Sequence, residues 1–126
     1  MNNLIERPVY NYKNVFWQII MGDIKANFIL ETRFTISFYD INPHADIHIL
    51  VIPKGPYTNF LEFHNFALVD EIIDFYSHIT AIATKFGFDQ SGYKLIINTG
   101  VDGGQEVPHY HAHILKGLKK EKNKTP

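Results

Sequence analysis

The 126-residue sequence predicts an α+β domain of about five antiparallel strands with one long helix and a short N-terminal helix. Three observations carry this reading. Apolar residues recur at three and four positions in two segments, short β-branched and aromatic runs bounded by turn residues fill much of the rest, and nothing repeats. In order, "NVFWQIIMG" spaces Phe16, Ile19 and Ile20 at helical intervals after Asn14, a good N-cap, with Gly22 able to close the helix. "FILE" and "FTISFYD" read as two strands around a turn at Thr32 and Arg33. "ADIHILVIP" reads as a third strand, buried on both faces and stopped by Pro53. From Phe66 to Phe86, the residues Ile72, Phe75, Tyr76, Ile79, Ile82, Ala83 and Phe86 make a single stripe on one long helix that ends at Gly87. "YKLIIN" and "HYHAHIL" supply the last two strands, joined by the glycine-rich "TGVDGGQEVP".

Composition narrows the classes of function. The length suits one domain, read as residues 1–115, followed by a lysine-rich tail, 116–126, that reads as a flexible, solvated end. The tail holds five basic residues against Glu121, which leaves seven basic and twelve acidic residues in the body. An acidic body argues against a nucleic-acid-binding surface. The chain has no cysteine, so disulfides, thiolate ligands and a cysteine nucleophile are excluded. No apolar run approaches the roughly 20 residues of a membrane span, so a cytoplasmic protein with no membrane partner is expected.

Three of the seven histidines, His109, His111 and His113, alternate in "HYHAHIL". On a strand such residues share one face while Tyr110, Ala112 and Ile114 turn to the core, and Pro108 suits the first strand position. Ordinary half-buried histidines explain one such residue better than three beside a glycine loop. Metal ligation is limited by reach: alternate strand residues are about 6.5 Å apart, whereas zinc ligands at about 2 Å from the ion must lie within roughly 4 Å of each other. A further ligand would have to come from His48, Asp102 or Glu106, and no metal is expected. Phosphate chemistry fits better. Gly100, Gly103 and Gly104 can turn backbone N–H groups toward an anion, and an imidazole held through one ring nitrogen can attack through the other.

At this point the residues resemble a known family. "NTGVDGGQEVPHYHAHIL" is similar to the signature of the histidine triad superfamily, with Asn98, the paired glycines and Gln105 in register. "FYDINPHADIHILVIPK" resembles the family's other half-site, and with "NVFWQIIMGDIKANFILE" the likeness covers most of residues 14–115. It is nearer to the small nucleoside phosphoramidase branch than to the dinucleoside polyphosphate hydrolases. The resemblance implies a HIT-like fold, no cofactor, a purine nucleotide substrate and a homodimer formed through the long helix and a strand edge.

It also implies roles at particular positions. His111 would attack the α-phosphorus of a nucleoside 5′-phosphoryl compound, and water would hydrolyse the nucleotidyl-histidine. His113 would hydrogen-bond a phosphate oxygen, and His109 would support the arrangement at the row's open end. Backbone N–H groups around Gln105 and Glu106, near Gly104 and Val107, would hold developing charge. Asp40 would accept the ribose hydroxyls, although a local turn bond is an equal reading of that residue. Phe16, Ile19, Ile24, Phe38 and Ile41 would form the base pocket, although Phe16 and Ile19 would also serve as plain core, and Asn98 and His48 would sit in or behind the phosphate site. Two residues depart from the pattern: Glu106 stands where phosphoramidase relatives usually carry serine, and Pro56 replaces an expected histidine. A nucleotide-binding module with little turnover is the alternative from another class.

Overall fold

A computed structural model of the chain describes residues 6–117. Helix α1, Val15–Ile20, starts where the Asn14 side chain accepts the N–H of Trp17, and Gly22 follows it with a positive φ of 84°. Strands β1 (Phe28–Glu31), β2 (Thr35–Tyr39) and β3 (Ile47–Pro53) form the expected antiparallel meander. After it come helices α2 (Phe60–Phe66) and α3 (Val69–Lys85), a 3₁₀ turn at Phe88–Gln90, and strands β4 (Lys94–Ile96) and β5 (Ala112–Lys116). The sheet order is β1-β2-β3-β5-β4, antiparallel throughout. This is the α+β architecture expected, with five strands.

Several expectations need correction. The long helix begins at Val69 rather than near Phe66, because Ala67 and Leu68 are both extended (ψ 153° and 152°) and separate it from α2. Helix α2 was not anticipated. Asn59 caps it by accepting the N–H of Glu62, but Phe60 and Leu61 are exposed, so its apolar residues trace no single stripe. On α3, Phe75, Ile79, Ile82 and Ala83 are buried as the stripe predicts, yet Tyr76 and Phe86 are exposed while Glu71 and His78 are buried.

Another correction concerns the histidine row. The ladder of β5 starts only at Ala112, so Pro108, His109 and His111 precede it. Their backbone is held in other ways: His109 N–H donates to Val107 O at 2.8 Å and Tyr110 N–H to Tyr57 O at 2.7 Å. The alternation nevertheless holds, since Tyr110, Ala112 and Ile114 are fully buried in the main core with Phe63, Phe75 and Ile49. Burial of such large apolar side chains contributes about 1.5–3 kcal/mol each, which fixes the opposite face with them. Lys116 is the last residue of β5 and bonds Ser91 Oγ and Gly92 O, so the sheet reaches one residue into the segment assigned to the tail. Residues 118–126 of that tail lie outside the described residues.

Candidate active site

On the sheet face away from α3, a cavity of about 510 Å³ opens between α1, β2, β3, β5 and the glycine loop. Register explains its walls. His48 and Leu50 share one face of β3, His113 and Leu115 share the same face of β5, and the pairs His48↔Leu115 and Leu50↔His113 stand side by side. Phe16, Ile19 and Phe38 are buried in the second core cluster with Leu50 and also line the cavity, so they serve both roles read for them. Ile24 and Ile41 are on its exposed rim, 37% and 91% accessible. Asp40, His48, Asn98, Gly104, Glu106, Val107, His111 and His113 complete the predicted set that lines it. Leu50, Leu115 and His44 also line it and were missed. The period-two alternation with His48 and His113 was the signal available for both leucines.

Two predicted residues lie elsewhere. His109 is not at an open end of the row: it is the most buried of the three, 0% exposed, behind the cavity wall. Gln105 turns its side chain into the loop, where Oε1 accepts the Gly100 N–H and Nε2 donates to Thr58 O and Val107 O. The loop's N–H groups are also partly spent internally. Those of Gly103, Gly104 and Gln105 donate to Gly100 O, Val101 O and Gly100 O, while that of Glu106 has no protein acceptor among the described residues. Gly103 is required for a different reason from the one expected, since a Cβ there would meet the Thr99 carbonyl oxygen at 2.4 Å.

Hydrogen bonds assign the imidazole tautomers. The His111 Nδ1–H donates to the His109 carbonyl at 2.6 Å, leaving the Nε2 lone pair without a partner among the described residues. Burial lowers the pKa of this ring, against the opposing pull of that carbonyl and of Asp40 and Glu106, so the ring is a neutral base near pH 7. Phe16 meets it edge-on at 5.0 Å. The His44 backbone N–H donates to His48 Nδ1 at 3.1 Å, so the His48 proton is on Nε2, which donates to His113 Nδ1 at 2.9 Å. His113 therefore carries its proton on Nε2. Burial and the neighbouring His111 and His48 lower its pKa to about 4, and burial lowers that of His48. Asp40 Oδ2 lies 3.4 Å from His48 Nε2, and its Oδ1 accepts the Asn42 N–H at 2.8 Å, the local turn bond. Asn98 Nδ2 donates to Gly103 O and so ties the edge of the sheet to the loop.

The ligand atoms of Asp40, His48 and His113 lie within 4.8 Å of one another, which is close enough to consider a metal. The tautomers do not fit one. Ligation through His48 Nε2 would move its proton to Nδ1, where the His44 N–H already points.

What these features define is a cluster of buried and half-buried imidazoles lining a largely apolar cleft, with the Nε2 atoms of His111 and His113 left without a partner among the described residues. The chain belongs to the HIT family, whose domain matches residues 21–120. It is 43% identical over 111 residues to an uncharacterised HIT-like protein of Rickettsia prowazekii, covering 88% of this chain and 92% of that one. Among solved structures it resembles a HIT family hydrolase from Legionella pneumophila, with a TM-score of 0.76, 31% identity and coverage of 83% and 93%. A histidine triad nucleotide-binding protein from Candida albicans superposes with a TM-score of 0.77 at 27% identity, covering 86% of this chain and 77% of that one.

Proposed function

We propose that this protein is a metal-independent, cytoplasmic hydrolase that cleaves purine nucleoside 5′-phosphoryl compounds, adenosine 5′-phosphoramidates among them, at the α-phosphorus. The observation that carries this reading is the fixed tautomer of His111: Nδ1–H is held by a carbonyl and Nε2 is left free on the cavity side. In the first step Nε2 forms a bond to the α-phosphorus as the bond to the leaving amine breaks, the amine departing with a proton from solvent that the attacking water returns in the second step, giving a nucleotidyl-histidine whose positive ring is stabilised through Nδ1–H by the His109 carbonyl. In the second, water displaces His111 and releases the nucleoside monophosphate. The His113 Nε2–H donates to a phosphate oxygen, and the Glu106 N–H is a candidate donor to the charge that develops there. Phe16, Ile19 and Phe38 would take the base, and the Asp40 carboxylate at the rim would take the ribose hydroxyls. The solved relatives described above, a HIT family hydrolase and a histidine triad nucleotide-binding protein, support both halves of the proposal.

A second reading has one observation in its favour. Glu106 lines the cavity and its charge is felt at His111, so repulsion of an incoming phosphate would leave a nucleotide-binding module with little turnover. Release of AMP from adenosine 5′-phosphoramidate by the purified protein separates the two. Turnover that survives chelator and disappears in His111→Ala supports the hydrolase; AMP binding without turnover supports the module. Cleavage of dinucleoside polyphosphates in preference to phosphoramidates would move the protein to the other branch. The proposal includes a homodimer, for which the exposed Ile73 and Tyr76 on α3 and Leu95 on edge strand β4 offer an apolar face. A monomer by sedimentation at micromolar concentration would contradict it.

A further inference from the structure

The proposed nucleophile depends on a carbonyl, and that carbonyl belongs to a residue whose own side chain is fully buried. His109 is held from outside the sheet. Trp17 N–H donates to Asn14 Oδ1 at 2.9 Å, as the N-cap of α1, which orients the Asn14 amide. Its Nδ2 therefore faces the Tyr10 hydroxyl oxygen at 2.7 Å and Asn11 O at 2.7 Å. With that oxygen accepting, the Tyr10 O–H proton is directed to His109 Nδ1, 2.5 Å away. His109 must then carry its own proton on Nε2, which donates to Pro53 O at 2.9 Å, the last residue of β3. Each donor in this chain has one acceptor, and its direction is set at both ends.

The segment that delivers Tyr10 is itself anchored. Arg7 bonds Glu62 Oε2 at 3.0 Å and Pro56 O at 2.8 Å, and Asn14 begins α1, so residues 7–14 form a strap across the back of the site. Tyr10 is buried, 7% exposed, and its ring meets that of His109 edge-on at 5.7 Å. Burial and the charges of Tyr12 and Glu62 raise its pKa to about 12 against the Asn14 bond, so the hydroxyl keeps its proton across the working range.

We propose that Tyr10 is a positioning residue: its hydroxyl fixes His109 as the Nε2–H tautomer pinned to β3, and so holds the His109 carbonyl against the Nδ1–H of His111. The role rests on the reading of His111 as nucleophile. A ring without the hydroxyl would fill the same space but leave His109 Nδ1 a buried acceptor with no donor, and the ring would have to give up Pro53 O or shift. The effect reaches the reacting nitrogen through two hydrogen bonds and one peptide, and so alters rate more than binding.

The test is Tyr10→Phe in the full chain, read in two ways. With adenosine 5′-phosphoramidate, kcat should fall about ten-fold, as when a partner that orients a functional imidazole is removed. KM should stay within about two-fold. In long-range ¹H–¹⁵N spectra, His109 of the unsubstituted protein should show a proton-bearing Nε2 and an acceptor Nδ1, and the variant should lose that single tautomer. A lower Tm with unchanged kcat per folded molecule and an unchanged His109 spectrum would make Tyr10 merely structural and overturn the proposal. So would an unsubstituted protein with the His109 proton on Nδ1, a result that stands even where the variant fails to fold. If the unsubstituted protein releases no AMP, the hydrolase reading fails, while the His109 spectrum alone still decides the Tyr10 chain.

Discussion

Two buried histidine networks lie on opposite faces of the same sheet, and their pKa shifts hardly distinguish them. On the α3 side, His78 is 1% exposed, with Nδ1 donating to Thr32 Oγ1 at 2.9 Å and Nε2 accepting from Ser37 Oγ at 2.8 Å. Thr32, Thr35 and the Phe34 N–H in turn donate to Asp74. Burial lowers His78 to about 4, just as it lowers His109 and His113 on the cavity side. The difference is in what remains unmet. Both nitrogens of His78 have partners; His111 keeps one nitrogen without a partner among the described residues, beside a hollow of about 510 Å³. A depressed histidine pKa therefore marks burial, and the unpartnered atom marks the site.

The largest expected effect breaks the comparison on the cavity side. His111→Ala should lower the rate of AMP release by about 10⁴-fold or more, because no other group can take over the covalent step. His78→Ala should leave turnover per folded molecule unchanged, and steady-state assays normalised to folded protein check both.

Acid should next expose what the two networks share. His78, His109 and His113 have folded pKa values near 4, below the 6.5 of an unfolded histidine, so the unfolded chain binds more protons as pH falls below 6.5. Stability is thus fully present above that value and is lost progressively down to about pH 4. With three sites the slope approaches ~4 kcal/mol per pH unit. Urea unfolding at pH 7, 6 and 5 measures it, and a flat profile would contradict the assigned neutral tautomers.

Smaller again is the cost of opening the α3 network alone. His78→Ala leaves a cavity and deprives Ser37 and Thr32 of partners, which should cost about 3 kcal/mol. A fall in Tm of roughly 10–15 °C would follow. The smallest effect belongs to Glu106→Ser, which should raise turnover by about three- to ten-fold if the carboxylate opposes phosphate, with most change in kcat. No change would remove Glu106 from the account.

How much of this was legible in the sequence follows from the range of each interaction. The cap at Asn14, the strand ended by Pro53 and the core face of Tyr110, Ala112 and Ile114 depend on neighbours within a few residues, and they are found where the pattern puts them. The burial of His109 depends on Tyr10, 99 positions earlier, and that of His78 on Ser37 and Thr32, more than 40 away. No local pattern announces such partners. Gln105 shows the same limit: its position in the motif is legible, but the bonds to Gly100, Val107 and the distant Thr58 that turn it from the cavity are not.

The central claim is that the bare Nε2 of His111 becomes bonded to phosphorus. The most direct measurement is mass spectrometry of protein mixed with adenosine 5′-phosphoramidate and quenched in base on the millisecond scale, followed by peptide mapping at a pH that preserves the P–N bond. The account predicts an adenylyl group on His111 that forms and decays at rates matching turnover. Turnover with no adenylylated protein, or with the label on another residue, would contradict it.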